Sequence, residues 1–245
     1  MRMVARLQCP ADRTRAPPGP VESRRGSQIC TRVAVGAGKQ PSGYYKLDRL
    51  LWSGSEEEAL ARGAPVEQLK PPWKVMLLSE GSVTRHLELL FGKPGVQVDC
   101  FEMKDVGPFS MDKTPCTCEI PGLDMAEEGY QTVRRQVYLM QDGAEPLVYA
   151  VSFWRKDAVD EYLKDKQLPI WSSLRAERRE LYREIVDVQL GYSAPLEAAF
   201  GCQGPLWGRT YVFWHDSKPL TIIYEVFSNK LDRFLGPSSD DERED

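Results

Sequence analysis

Two pairs of strand-like segments, each joined by a short polar turn, constrain the fold of this chain most. Residues 134–154 (RRQVYLMQDGAEPLVYAVSFW) contain two β-rich runs separated by the turn-forming segment 142–146. Residues 208–227 (GRTYVFWHDSKPLTIIYEVF) repeat the arrangement, with the turn at 216–218. Such spacing is typical of β-hairpins. The pattern therefore predicts an antiparallel sheet and disfavours a doubly wound parallel one.

Helical patterns lie between these hairpins. In residues 81–92 (GSVTRHLELLFG) the apolar residues have helical spacing, Ser82 is the expected N-cap, and Gly92 is the expected end. Further helices are predicted at 156–166, 170–180 and 193–201, further strands at 96–103 and 182–192, and a mobile loop at 104–130. The fold class expected from this order is α+β, an antiparallel β-sheet with flanking helices.

The charge distribution divides the chain into segments. Residues 1–40 carry eight Lys or Arg side chains against two acidic ones, which is typical of an organelle transit peptide. Residues 41–72 are predicted to be a linker with a short helix near 56–61, and residues 73–235 form the expected domain. The tail 236–245 is acidic and expected to be disordered.

Composition excludes several classes of function. The longest apolar runs are strand-sized, so no membrane span is expected. The segment after residue 40 is acidic and offers no electrostatic footprint for nucleic acid, and no Gly-rich phosphate loop follows a strand. There is no CxxC pair, and the chain has two histidines, so no metal site is predicted. His86 is expected to be solvated and His215 to belong to a hairpin end; without a G-x-S-x-G elbow, a hydrolase is disfavoured.

Two charged residues point toward apolar faces of predicted strands. Since residues two apart in a strand share a face, Arg135 lies with Val137 and Leu139. Glu225 lies in a strand that is apolar on both faces. Because an unpaired buried charge is costly, these residues either form an Arg135–Glu225 salt bridge in the core or face a polar cavity. In the second case Arg135 would anchor the carboxylate of a small ligand, and Glu225 would act as acid, base or hydrogen-bond partner.

An ordered set of motifs extends this interpretation. They are GSVTRHLE at 81–88, RQVYL at 135–139, DGAEPLVYA at 142–150, PIWSSL at 169–174, GPLWGRTYVFW at 204–214 and KPLTIIYEVF at 218–227. The set resembles the chorismate pyruvate-lyase (chorismate lyase) family of bacteria and plastid-bearing organisms. This resemblance implies a chorismate lyase-like fold that converts chorismate to 4-hydroxybenzoate and pyruvate without metal or organic cofactor, and it implies a monomer. It also favours a plastid as the location, with the mitochondrion as the alternative.

The resemblance also implies roles for individual residues. Arg135 matches the arginine that binds the carboxylate of substrate or product, and Glu225 matches the glutamate that contacts the ring hydroxyl and is a candidate for proton transfer. Ile170 matches a position that contacts ligand through its backbone, and Val83 matches a pocket-lining methionine. Arg209 is either a second anion partner or a strand-end salt bridge.

Two positions depart from the family pattern. Trp171 replaces the glycine of the family turn, and Val83 is shorter than the family residue. The second hypothesis is therefore a non-catalytic small-anion-binding or assembly protein on the same scaffold, like the UTRA effector domains of transcription regulators. Turnover of chorismate distinguishes the two.

Overall fold

The strands form one seven-stranded antiparallel sheet. The structure, a computed structural model, describes residues 43–60, 69–110, 114, 130–141, 145–163, 170 and 181–238. The strands are β1 (Arg49–Gly54), β2 (Gln97–Pro108), β3 (Gln131–Met140), β4 (Pro146–Arg155), β5 (Tyr182–Tyr192), β6 (Leu206–His215) and β7 (Lys218–Phe227). Their order across the sheet is β1-β5-β6-β7-β4-β3-β2, and every neighbouring pair is antiparallel.

Both predicted hairpins are present and lie side by side. Strands β3 and β4 pair with each other, as do β6 and β7, and β4 pairs with β7 to join the two hairpins. The β6–β7 turn has positive φ at Asp216 (50°) and Ser217 (60°), which matches the right-handed twist of a tight hairpin. The α+β class with an antiparallel sheet is confirmed.

Six α-helices are formed by the described residues. They are α1 (Glu56–Leu60), α2 (Pro71–Leu78), α3 (Val83–Phe91), α4 (Lys156–Tyr162), α5 (Ala194–Phe200) and α6 (Asp232–Leu235), with a 3-10 turn at Asn229–Leu231. Helix α3 begins and ends as predicted: the Ser82 hydroxyl accepts from the Arg85 amide, and Gly92 is left-handed (φ 68°). Apart from Ile170, the predicted helix at 170–180 lies outside the described residues. Within the described ranges, no helix has the length and apolarity needed to cross a membrane.

The two faces of the sheet carry separate cores. On one face, called the front here, Trp73, Leu77 and Leu87 of α2 and α3 pack with sheet residues such as Val137 and Ile223. On the back, residues 43–48 and α5 cover a second core that contains Tyr149, Tyr224 and Phe200. Each face therefore has its own cover, and the front cover includes the α2–α3 connection.

The structure differs from the sequence-based expectation at both edges of the sheet and in the segment before α3. Residues 49–54, expected to be part of a linker, form edge strand β1 against β5, and residues 71–78 form α2. Strand β1 is largely exposed, so its sequence lacks the alternation that marks a half-buried strand. At the other edge, β2 continues to Pro108 into the segment expected to be a loop. The β2–β3 register shifts at two places, which interrupts the alternation there.

Candidate active site

A cavity of about 360 Å³ lies between the front of the sheet and the start of α3. Its walls come from the α2–α3 connection, from α3, and from strands β2 to β7. Most of the lining is apolar and includes Val98, Val137, Leu139, Phe213 and Ile223. Charged groups of both signs also face it. A cavity of this size, largely apolar with a few charged groups, suits one small organic molecule.

All four residues predicted to contact substrate line this cavity. They are Val83 at the start of α3, Arg135 on β3, Glu225 on β7, and Ile170. Arg135 and Glu225 are 2% and 4% exposed. The strand alternation that placed both charges on apolar faces was therefore correct about their burial. Trp171, the main departure from the family pattern, lies outside the described residues.

The partner of Glu225 is Arg209, which corrects the alternative of an Arg135–Glu225 core salt bridge. Arg209 Nε donates to Glu225 Oε2 at 2.9 Å, and the Tyr211 hydroxyl donates to Oε1 at 3.0 Å. Arg209 and Glu225 are directly opposite each other on β6 and β7. Alternation assigns a residue to a face of the sheet, whereas the partner depends on strand order, which alternation does not contain.

One of the two alternatives for Arg209 was a strand-end salt bridge. Arg209 does form a salt bridge, but it is fully buried and lies inside β6. Its Nη1 donates to the carbonyls of Met76, Leu77 and Ser79 at 2.9–3.1 Å. These carbonyls belong to the end of α2, where backbone acceptors lack helical partners and a cation is favoured. One guanidinium thus joins Glu225 to the cover of the cavity.

Arg135 lies on β3, two strands from Glu225 and on the opposite side of it from Arg209. Burial lowers the pKa of its guanidinium, and a contact with the Cys100 thiol acts in the opposite direction. A buried guanidinium on the wall of this largely apolar cavity favours an anionic ligand, because a carboxylate matches the guanidinium in charge and in hydrogen-bonding geometry.

Arg183 on β5 is a cavity residue that the sequence analysis missed. It is 6% exposed, and its Nη1 donates to the carbonyls of Glu80 and Gly81. Its guanidinium lies 4.6 Å and 4.8 Å from the ring centres of Tyr211 and Phe213. Burial lowers its pKa. The signal was in the sequence, since Arg183 shares a strand face with the apolar Ile185 by the rule that identified Arg135.

His86 also lies at the cavity, and the expectation that it is solvated is wrong. It lines the cavity, and its Nε2 lies 3.4 Å from the Ser79 hydroxyl. Its Nδ1 is buried and has no hydrogen-bond partner within the described ranges. Burial lowers its pKa, and the nearby cations Arg209 and Arg183 lower it further, against the opposing charge of Glu225. The start of α3 faces the cavity and brings His86 to its wall, so the polar neighbours of His86 in the sequence did not indicate solvent exposure.

The fold and the cavity define the class: an α+β domain whose antiparallel sheet encloses a charged, small-molecule-sized site beneath helices. The model of the family described as "Chorismate pyruvate-lyase Rv2949c-like" matches residues 77–235. The chain belongs to this Rv2949c-like chorismate pyruvate-lyase family.

Similar proteins are known from algae. The "Uncharacterized protein ycf21" of Cyanophora paradoxa is 29% identical over 181 residues, which covers 73% of this chain and 88% of the relative. The protein of the same name from Porphyra purpurea is 30% identical over 162 residues, or 66% and 83% of the two chains. Among solved structures, the C-terminal domain of the histidine utilization repressor from Pseudomonas syringae pv. tomato is similar, with a TM-score of 0.40 and 12% identity. That match covers 56% of this chain and 93% of the other.

Proposed function

We propose that this protein is a chorismate pyruvate-lyase that converts chorismate to 4-hydroxybenzoate and pyruvate, with Arg135 and Glu225 as its principal site residues. The observation that carries the proposal is that a buried guanidinium and a buried carboxylate line one largely apolar cavity of small-molecule size. Membership of the chorismate pyruvate-lyase family supplies the reaction. The substrate is then a small carboxylate with a ring that the apolar walls can hold.

In this proposal Arg135 binds the ring carboxylate of chorismate. The planar fork of a guanidinium matches a carboxylate and fixes its orientation through paired hydrogen bonds. Val83 and the backbone of Ile170 contact the ring from the helix side. Holding the substrate in one reactive orientation lowers the entropic part of the barrier, which matters for a reaction whose driving force comes from aromatisation.

Glu225 acts at the carbon that carries the ring hydroxyl. The reaction breaks the bond between the ring and the ether oxygen, removes the hydrogen from the hydroxyl-bearing carbon, and leaves an aromatic ring. The released enolpyruvate gains a proton on its methylene carbon to become pyruvate, so the atoms balance without water or an oxidant. Glu225 is the group proposed to move the proton, and Arg209 and Tyr211, which bond its two oxygens, orient it.

The test is turnover of chorismate by the full chain, with pyruvate and 4-hydroxybenzoate both quantified. We expect equal amounts of the two products from the parent, and a fall in kcat of about 100-fold or more for Glu225→Gln, because loss of a general acid or base has that effect. Arg135→Met should raise KM. The matched controls are Glu57→Gln and Arg233→Met, whose side chains are exposed.

Two results would contradict parts of this proposal. Full turnover by Glu225→Gln would remove Glu225 from any acid–base role. A parent protein that binds 4-hydroxybenzoate and releases no pyruvate would instead be a non-catalytic binding protein on the same scaffold.

We further infer import into a plastid, on the basis of the Arg-rich, acid-poor segment 1–40. A fluorescent protein fused after residue 40 should enter plastids in cells of a plastid-bearing organism. Accumulation in mitochondria would select the alternative destination, and a cytosolic signal would refute targeting by this segment.

A further inference from the structure

We propose that Arg183 is a second anion-binding group of the same cavity, so that the site selects ligands with two carboxylates, one held on each side of Glu225. This inference deepens the proposed function and rests on it for the identity of the natural ligand. It assigns the second carboxylate of chorismate, that of the departing enolpyruvyl group, to Arg183.

The first observation is the bonding of Arg183 itself. Its side chain lines the cavity and is 6% exposed, yet among the described residues no carboxylate pairs with it. Its Nη1 donates to two backbone carbonyls, and its Nε is buried without a hydrogen-bond partner in the part of the chain that the structure describes. Glu225, the buried carboxylate of the cavity, bonds to Arg209 and Tyr211 instead. A buried cation without an anionic partner is costly, and a ligand carboxylate would compensate it.

The second observation is the support behind the guanidinium. The rings of Tyr211 and Phe213 lie 4.6 Å and 4.8 Å from it, and the α2–α3 carbonyls hold one end. Its orientation is therefore set before any ligand arrives. A preorganised fork binds a carboxylate without the entropy cost of ordering a long side chain.

The third observation is the placement of the two arginines in the sheet. Arg183 lies on β5 and Arg135 on β3, with β6, β7 and β4 between them, so Glu225 on β7 occupies the middle strand. Four strand spacings put the two backbones about 19 Å apart along the sheet. The Arg183 guanidinium lies against the rings of Tyr211 and Phe213 on β6, the strand between β5 and β7, and both arginines line the one cavity. A ligand with carboxylates at opposite ends would then hold its central atoms over Glu225.

The geometry distinguishes ligands by their number of carboxylates. A monocarboxylate such as 4-hydroxybenzoate engages one arginine, whereas a dicarboxylate of suitable length engages both. The second charge-assisted contact should strengthen binding by about 10-fold to 100-fold. The stable probe is 3-(carboxymethoxy)-4-hydroxybenzoate, which adds to 4-hydroxybenzoate one ether-linked carboxylate where chorismate carries its enolpyruvyl group.

The experiment is calorimetric titration of both ligands into the full chain and into three variants, Arg183→Met, Arg183→Lys and Arg135→Met. We expect the parent to prefer the dicarboxylate by about 10-fold or more. Arg183→Met should abolish that preference and leave 4-hydroxybenzoate binding within about 3-fold of the parent. Arg135→Met should weaken both ligands.

Arg183→Lys is included in case Arg183→Met does not fold. Lysine keeps the positive charge and can still donate to the Glu80 and Gly81 carbonyls, but it lacks the planar guanidinium that binds a carboxylate through two hydrogen bonds. This variant should lower the preference with 4-hydroxybenzoate binding retained. Equal weakening of both ligands in a folded Arg183 variant, or an unchanged preference, would overturn the inference and leave Arg183 as a support for the α2–α3 connection. A parent that prefers the dicarboxylate but does not turn over chorismate would disprove the lyase and retain the anion site.

Discussion

Among individual residues, Glu225 has the most completely defined surroundings. Both of its carboxylate oxygens accept a hydrogen bond, one from Arg209 and one from Tyr211. Burial raises the pKa of the Tyr211 hydroxyl, and the negative charge of Glu225 raises it further. Tyr211 therefore remains a donor to the carboxylate at physiological pH. These two bonds leave the carboxylate only its remaining lone pairs for a ligand and fix the direction in which they point.

His86 supplies a pH dependence that the structure predicts in sign. Its pKa is lowered in the folded protein, first by burial and then by the positive charges of Arg209 and Arg183. Above its ordinary pKa of 6.5 the histidine is neutral in both states. As the pH falls below that value, the unfolded chain binds the proton first and the free energy of unfolding decreases.

His86→Asn should therefore reduce the loss of stability between about pH 7 and pH 5. The measurement is urea unfolding of parent and variant across this range, with the midpoint and the m-value recorded at each pH. Parent and variant share all their carboxylates, so the difference between the two curves isolates His86. Parallel curves would mean that the histidine titrates alike in the folded and unfolded states.

Among the contacts between secondary-structure elements, those of Arg209 connect the sheet to the cover of the cavity. This arginine joins β6 to β7 through Glu225 and joins both to the end of α2 through three carbonyls. Arg183 on β5 likewise donates to the carbonyls of Glu80 and Gly81, the next two residues of the α2–α3 connection. Two strands thus hold the cover of the cavity by side-chain bonds to backbone acceptors.

Arg209→Met should lower the free energy of unfolding by about 3–5 kcal/mol, because it leaves the Glu225 carboxylate buried without its cation and frees the α2 carbonyls. The double variant Arg209→Met/Glu225→Gln should recover part of the loss, since position 225 then carries no charge that lacks its cation. Denaturant unfolding measures both. The control is Arg155→Met, whose partner Asp157 has a side chain 61% exposed, and whose loss should cost about 1 kcal/mol or less.

An Arg209 variant as stable as the Arg155 control would show that the buried pair does not stabilise the fold. An unchanged kcat/KM in a destabilised Arg209 variant would show that Glu225 does not need this partner for orientation.

The sequence predicted elements best where local chemistry alone decides them. The two hairpins and α3 were predicted correctly, because turn residues, alternation and the Ser82 cap are local signals. Strand β1 was missed, because an exposed edge strand needs only its neighbour β5 and shows no alternation of its own. For the same reason, the burial of Arg135 and Glu225 was predictable and the Arg209 partner was not, since pairing depends on how distant strands are ordered.

At the scale of the whole molecule, the back of the sheet is covered by a hydrogen-bonded segment and the front carries the cavity. On the back, the Tyr149 hydroxyl donates to Gln136 at 2.6 Å and accepts from the Tyr45 amide at 3.1 Å. The Tyr224 hydroxyl accepts from the Leu47 amide and donates to Gln189, each at 3.2 Å. These bonds fasten residues 43–48 to the back of the sheet. The front carries the cavity, whose walls include residues from six of the sheet's seven strands, β2 to β7.

Because a ligand in this cavity contacts the sheet and the α2–α3 cover together, it should stabilise the folded chain as a whole. At a concentration of about 100 times its Kd, 4-hydroxybenzoate should raise the free energy of unfolding of the parent by about 2.7 kcal/mol. Arg135→Met at the same ligand concentration should show a much smaller gain, since its carboxylate anchor is gone. Arg233→Met, an exposed substitution, should behave like the parent.

Urea unfolding with and without the ligand gives these gains directly, and each variant serves as its own reference. The comparison does not depend on catalysis, because 4-hydroxybenzoate is the proposed product and is not consumed. An equal gain for Arg135→Met and the parent would place the ligand outside this cavity, and the assignment of Arg135 and Glu225 as site residues would fail with it. A gain lost in Arg135→Met but kept in Glu225→Gln would separate the two roles, with Arg135 responsible for holding the carboxylate and Glu225 for the proton.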